Sequence, residues 1–484
     1  MNEISLDNLI IGSGPGGAVV ADELTSNNME CAIVEEGENL SKEYDLIDNN
    51  ISGIGEELQN KWRNGGAQFT IGKHPISFSE ACCYGGGSEI NSGIYQEVSD
   101  QLIKNWEKKY KIDNFNPEII KSLYTNIKSK ISLTVENRNS GSPSKIIQDV
   151  SKSENWSIKD LPRISKRSEN NPNDSRKLIR QSMTSTLLKK AEKKNLKIFS
   201  KIKIIKLIKK NKKIIKAIGK DKNNILYQFS AKNFFVCCGA LQTPLLLKKS
   251  GIVYNIGKYF RLHPTLRLIV RFDKDINAND YPLPLYAITE FLPNIRLSGA
   301  NFSLPILSSL IAEDWNNRSH ILKDWKKTII LYVMIKPDGF GKILSLPLLN
   351  EPLVFYKLLT NDYRNLSYGL QKYIKALFKI GAKEIIPCIS NFKSINSDSN
   401  LEYLKYEYLK NSNLNLMSIH LFGSCIPGNN LDYCATDSFG KVYKYDNLYI
   451  CDASQIPEAI GVNPQATVMA MSLRNTRNFL KNKN

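Results

Sequence analysis

No stretch of about 18 or more consecutive apolar residues occurs in this chain, which excludes an obvious membrane-spanning helix. The first residues, Met1-Asn2-Glu3-Ile4-Ser5-Leu6-Asp7, carry acids where a secretory leader carries bases, so secretion is not expected. Cys-x-x-Cys pairs are also missing. The nine cysteines are odd in number, and Cys31, Cys237, Cys238, Cys388 and Cys451 lie inside apolar runs. That usage suits buried free thiols in a reducing, cytoplasmic setting, with neither a disulfide framework nor a metal site. The adjacent Cys82 and Cys83 read as small buried apolar residues. Glycine (28) and proline (19) are too few among 484 residues for collagen-like or low-complexity chains. With 42% hydrophobic and 23% charged residues, a globular protein of two or three domains is expected.

Acidic residues are outnumbered 66 to 47, a net charge of +19, which raises the question of an anionic partner. Residues 189–220 alone hold 14 lysines against one glutamate. Their pattern is that of a helix end, a strand, a turn and a second strand, and no aromatic stacking platform is interleaved with them. Solvated lysine faces are therefore the expectation, with no specific nucleic-acid partner. A basic surface-binding protein is the weaker alternative.

The chain opens with a βαβ unit. Leu9-Ile10-Ile11 is a short buried strand, Ala18 to Leu24 is helical, and Cys31-Ala32-Ile33-Val34 is a second strand. Gly65 to Gly93 is glycine-rich loop, and residues 135 to 175, full of Asn, Ser, Pro and Lys, read as a long surface excursion. Thr184 to Lys194 is expected to be helical, Leu196 to Leu207 and Ile214 to Ile218 to be paired strands, and Asn233 to Cys238 to be a buried strand. Between 266 and 410, short strands mix with one amphipathic helix, Leu366 to Ile380. The expected class is α/β. A discontinuous Rossmann-like dinucleotide domain (1–100, 176–265, 415–484) joins a substrate domain (101–175, 266–414) with a mostly antiparallel sheet and helices.

Chemistry is carried first by Gly12-x-Gly14-x-x-Gly17, which follows a strand and opens a helix, with Glu35 ending the next strand. Gly12 permits the tight turn, Gly14 lets backbone approach a pyrophosphate, and Gly17 lets helix and strand pack closely. The helix N-terminus then presents its positive end to phosphates, and Glu35 is placed to accept from ribose hydroxyls.

Four further segments are separated along the chain: Gly86-Gly87-Ser88-Glu89-Ile90-Asn91-Ser92-Gly93, Phe235 to Pro244 with Ser250-Gly251-Ile252 behind it, His420-Leu421-Phe422-Gly423-Ser424-Cys425, and Asn447 to Pro457 followed by Gly461-Val462-Asn463-Pro464. In this order they resemble the signatures of the glucose-methanol-choline (GMC) flavin oxidoreductases. The resemblance covers the flavin-binding half and is loose elsewhere. It implies FAD as the dinucleotide, with Glu35 on the adenosine ribose and the backbone of Ile204 against adenine. It likewise implies Gly87, Asn91 and Ser92 along the pyrophosphate and flavin edge, and Asp452 and Ala453 at ribityl and phosphate oxygens. His420 and Asn463 resemble the family's catalytic pair, and an Asn in second place is similar to the cholesterol-oxidase-like branch. Where some members carry a histidine bonded covalently to flavin, this chain has Ile90, so non-covalent FAD is expected.

The implied reaction oxidises a primary or secondary alcohol, such as a sugar, polyol or other hydroxylated metabolite, to an aldehyde or ketone. A neutral imidazole at His420 suits removal of the hydroxyl proton while hydride passes to flavin N5, and the Asn463 amide can steady the developing alkoxide. Pro464 is a favourable first helical residue, aiming the positive end of the following helix at the flavin. The alternative within the same fold is a non-redox or light-driven flavoprotein of lyase type. Among the remaining histidines, His263 reads as structural, and neither His74 nor His320 has a partner legible in the sequence. The electron acceptor, whether oxygen, a quinone or a carrier, is left open.

Overall fold

The computed structural model describes residues 2–40, 51–135, 142–167, 178–280 and 284–483. Its first sheet has seven strands and grows from the apolar run Leu9-Ile10-Ile11, buried because both faces are covered. Asn2–Ile11 pairs in parallel with Cys31–Val34 on one side and Leu226–Val236 on the other. Lys197–Phe199 extends the sheet beyond Cys31–Val34, and Leu448–Ile450 pairs in parallel with Leu226–Val236. An antiparallel hairpin, Ile202–Lys210 with Lys213–Asp221, completes it. In that hairpin Ile202, Ile204, Leu207, Ile214 and Ala217 are buried, whereas Lys206, Lys209, Lys210 and Lys213 are exposed. The lysine density is thus the solvent side of alternating strands.

The second sheet has nine strands and is mostly antiparallel. Its centre, Thr265–Arg271 paired with Thr328–Ile335, is flanked by Ile295–Gly299 and Glu384–Pro387. The helix Thr360–Lys379 lies over it with Leu366, Leu370, Tyr373, Ile374 and Leu377 buried, the three-and-four spacing of one helical face. It begins at Thr360 rather than Leu366 because the Asp362 carboxylate accepts from the Leu359 N–H (2.7 Å), a cap that apolar periodicity does not reveal. The mixed α/β class with two large sheets is the one expected from sequence.

Several segments lie across the expected domain boundaries. Gln68–Phe69, Ile76–Phe78 and Leu416–Ser418, expected in the dinucleotide domain, pair within the second sheet. Conversely, the helices Asp100–Tyr110 and Pro117–Lys130, expected in the substrate domain, bury Ile103, Trp106, Tyr124 and Ile127 in one core with Val19 and Leu24. Their apolar stripes are met by the C-terminal helix, where Tyr124 Oη and Thr467 Oγ1 are 3.0 Å apart. Of the stretch 135–175 expected as a surface excursion, 136–141 and 168–177 lie outside the described residues. The rest is structured: Ser142–Glu154 is a helix whose Ile146, Ile147 and Val150 enter the second core. Its Ser and Lys residues mask that apolar stripe in a reading by composition.

Candidate active site

The glycine turn is built by close backbone contact. Gly12 has φ +100°, and a Cβ there would sit 2.5 Å from the Cys237 carbonyl oxygen. A Cβ on Gly17 would lie 2.1 Å from the Gly12 carbonyl oxygen, so only glycine lets the helix Pro15–Ser26 pack this near the strand. Gly14 is the N-cap of that helix and offers no side-chain cap, and the first turn holds no acid. Its N-terminal N–H groups and macrodipole are therefore left for an external anion.

Three separate loops meet at this turn. Ser13 Oγ accepts from the Gly85 N–H (2.9 Å) and donates to Glu35 Oε2 (2.7 Å). The same carboxylate receives the N–H groups of Ser13 (3.0 Å) and Gly37 (2.8 Å). Burial pushes the Glu35 carboxyl up from its ordinary pKa, and these bonds restrain the rise. A carboxylate offers about four acceptor positions, so with three donors in place one remains for a ribose hydroxyl. The Glu35 carbonyl also accepts from the Ile202 N–H (3.0 Å), which brings Ile204 beside the site, at a register shift of its hairpin. Space in front of Gly87 is open, since a Cβ there would meet nothing within 4 Å. The uncapped helix end, the spare carboxylate position and this opening fit a dinucleotide.

At the other end, Asn91 Nδ2 donates to Gln465 Oε1 (2.6 Å), tying the glycine-rich loop to the first turn of the helix Gln465–Lys481. Ser92 is engaged differently: its hydroxyl accepts from Asn301 Nδ2 (2.9 Å) and its carbonyl from Arg163 Nη1 (2.6 Å), which directs it toward the substrate half. The Asp452 carboxylate accepts from Gly239 N (2.9 Å), Ser454 N (2.8 Å) and Thr243 Oγ1 (2.5 Å). It holds the ends of neighbouring strands together and, like Glu35, keeps one of its about four acceptor positions. Ala453 packs against both large cores, at their junction.

His420 and Asn463, 43 positions apart in sequence, meet with Nε2 and Nδ2 at 3.1 Å. Burial, then the Arg296 charge, pushes His420 down to about 3, so its ring is neutral near pH 7. Two neighbours were not assigned to the site from the sequence, where His263 reads as structural and Arg296 is not singled out. His263 Nδ1 lies 2.9 Å from His420 Nδ1, and Arg296 Nη1 donates to Asn463 Oδ1 (2.8 Å) and Gln96 Oε1 (2.7 Å). Arg296 is 1% exposed, and its Nε and Nη2 have no hydrogen-bond partner among the described residues. A buried cation so placed favours negative charge developing nearby. The one signal for it was an arginine within the apolar strand Ile295–Gly299. The other histidines are engaged elsewhere, His74 Nε2 with the Lys410 carbonyl (3.2 Å) and His320 Nε2 with Glu384 (3.0 Å).

The GMC oxidoreductase family is matched by two models, over residues 58–265 and 354–472, together more than half of the chain. This chain is a GMC oxidoreductase. It is 35% identical to the uncharacterized GMC-type oxidoreductase y4nJ of Sinorhizobium fredii, over 98% of this chain and 94% of that one. A long-chain-alcohol oxidase of Arabidopsis thaliana is 23% identical over 97% of this chain and 68% of its own length. The crystal structure of pyridoxine 4-oxidase from Mesorbium loti superposes with a TM-score of 0.75, covering 98% of this chain and 99% of that one at 13% identity, which shows a shared fold. As a GMC oxidoreductase the chain acts on CH–OH groups and belongs to a family of flavoproteins. No helix among the described residues is long and apolar enough to cross a membrane.

Replacing Glu35 by Ala in this GMC oxidoreductase is expected to weaken FAD retention by about 1 to 3 kcal/mol, the scale of charge-assisted hydrogen bonds. Flavin occupancy after serial dilution checks this, and unchanged occupancy would argue against a ribose contact at Glu35.

Proposed function

We propose that the chain uses non-covalent FAD to oxidise a primary or secondary alcohol to an aldehyde or ketone, at a site formed by His420 and Asn463. The observation that carries this reading is the buried contact of those two side chains, 3.1 Å apart, beside the N-terminal end of the helix Gln465–Lys481. Bound FAD supplies a two-electron acceptor for the hydride of the carbinol carbon. Gly12, Gly14 and Gly17 shape the turn for its pyrophosphate, Glu35 holds ribose, and Ile204 borders adenine. Gly87, Asn91, Ser92, Asp452 and Ala453 line the remainder. His420 and Asn463 hold the carbinol oxygen. For the general-base role that the resemblance implies, His420 Nε2 would have to meet the alcohol with its lone pair free.

Relatives support the reaction class, since those with an activity in their names include long-chain-alcohol oxidases and the shared fold is that of pyridoxine 4-oxidase. The likeness to the cholesterol-oxidase-like branch rests on Asn463 and the loop before Asn91, a matter of flavin surroundings rather than substrate. Nine free thiols favour a reducing, cytoplasmic location.

Anaerobic mixing with a panel of alcohols, followed by flavin absorbance, tests the reading without assuming an electron acceptor. Bleaching by one class of alcohol is expected. If no alcohol bleaches the flavin, the non-redox alternative takes over. The yellow colour is expected to leave with the supernatant after acid precipitation, because Ile90 offers no nucleophilic nitrogen; colour in the pellet would overturn non-covalent binding and turn attention to His74.

A further inference from the structure

Nine of the 21 large hydrophobic side chains exposed among the described residues fall in two short segments, 69–71 and 340–359. In the second, Phe340–Leu344 and Leu353–Lys357 form an antiparallel hairpin whose alternate residues face opposite ways. Gly341, Ile343, Val354 and Tyr356 are buried, which puts Phe340, Lys342 and Leu344 on the outer face, opposite Lys357, Phe355 and Leu353 in turn. Each lysine therefore sits across from a phenylalanine. Ile71 joins the edge beside Phe355: its N–H donates to the Val354 carbonyl (2.7 Å), and its carbonyl accepts from the Tyr356 N–H (2.9 Å). At the turn, Leu346 and Leu349 are exposed, and Leu348 is 96% exposed.

The hairpin is fastened to the body of the protein. Gly341 exchanges two backbone bonds with Phe260 (2.8 and 3.0 Å), and the Ile343 N–H donates to the Gly257 carbonyl (2.8 Å). No acid stands between Asn64 and Phe78, and Glu351 is the one acid between Phe340 and Leu359. Its carboxylate is engaged inward, accepting from Gln242 Nε2 (3.1 Å) and Arg63 Nη1 (3.3 Å). Asp338 and Asp362 flank the segment at the end opposite the leucine turn. Exposed leucines at the turn thus stand above lysines that no acid of the same face neutralises.

This combination selects its occupant. The apolar side chains gain by leaving water, and the lysines gain by meeting anions. A bilayer interface offers both in one plane, acyl chains for leucine and phenylalanine and phosphates for the ammonium groups, with the lysine stems lying along apolar neighbours. A second copy of the chain does not, because a two-fold contact would set Lys342 and Lys357 against the same lysines with no acid to pair them. An acidic protein surface would match the lysines and leave Leu348 against charge.

We propose that the outer face of the hairpin 340–357, with Ile71 and the leucines of its turn, docks on the surface of a bilayer that contains anionic lipid. This goes beyond the alcohol-oxidation reading and does not depend on it. Phe260, bonded to the hairpin, runs directly into Arg261, Leu262 and His263 beside His420, so the docked face and the candidate site share one stretch of chain.

The test is sedimentation of the FAD-loaded protein with vesicles of phosphatidylcholine, alone or mixed with phosphatidylglycerol, at physiological ionic strength. Binding to the mixed vesicles is expected. The double variant Leu346→Ser with Leu348→Ser leaves the net charge at +19 and is expected to weaken binding by about tenfold or more. Lys342→Glu with Lys357→Glu is expected to do the same through charge, by about tenfold or more. Lys209→Ser with Lys210→Ser and Lys213→Ser, on the other lysine-rich hairpin, is expected to lose less than either. A wild-type thermal midpoint shows that each variant is folded. Absence of wild-type binding to mixed vesicles would overturn the proposal. Full binding by the leucine variant, or a larger loss in the Lys209 variant, would reduce the effect to attraction by net charge and also overturn it. A dimer, seen without lipid, that the leucine variant dissociates would give the face to a second copy. Retention on polyglutamate beads without vesicle binding would give it to an acidic protein. Either result would overturn bilayer docking.

Discussion

His420→Ala is expected to slow flavin reduction by the true alcohol by at least about 10², while FAD stays bound. Loss of a general base costs about 10² to 10⁴, and loss of one donor to a developing oxyanion costs about 10² to 10³, so either role of the imidazole gives this lower bound. Retention of FAD follows from the geometry. His420 bonds through its ring to His263 and Asn463, whereas the dinucleotide turn is tied together by Ser13, Glu35 and Gly85. Anaerobic stopped-flow absorbance measures the rate, and the spectrum of the purified variant measures occupancy. Bleaching at the wild-type rate would remove His420 from the chemistry.

Gly17→Ala is expected to lose FAD and to lower stability by about 3 kcal/mol, the upper end of ordinary overpacking costs. The added methyl would stand 2.1 Å from the Gly12 carbonyl oxygen and 3.3 Å from Cys237 Cβ. The nearer obstacle is backbone, so no side-chain rotation relieves it. Helix Pro15–Ser26 would have to move away from the first strand, carrying its N-terminal N–H groups off the position proposed for the pyrophosphate. Flavin absorbance per chain and the denaturation midpoint check both effects. Wild-type occupancy in this variant would mean that the strand and helix can separate without opening the site.

The βαβ unit could be read directly because its signals are local. Glycines at fixed offsets, a strand before them and an acid after the next strand all lie between Leu9 and Glu35. His420 and Asn463 could be singled out only through their resemblance to a family pair, since 43 positions separate them and no periodicity links them. The contacts of His263 could not be read from the sequence, because its two nitrogens touch a ring 157 positions away and two backbone amides almost 200 away. Which sheet a short strand joins was not legible for the same reason, since strands as short as Gln68–Phe69 and Leu416–Ser418 take their place from pairing rather than from their own composition.

The sequence alone determined the glycine turn, the apolar strands flanking it, the scarcity of histidine and the alternation that turns lysines outward, because each depends on residue type and spacing within a few turns of chain. Tertiary structure alone decided the hydrogen-bond directions at the site. A histidine can donate or accept at either nitrogen, and an amide can face either way. Only the backbone N–H groups of Ile460 and Gly461 at one end, and the buried guanidinium of Arg296 at the other, select one arrangement. Those constraints come from segments far apart in the chain that folding brings within 3.1 Å of one another.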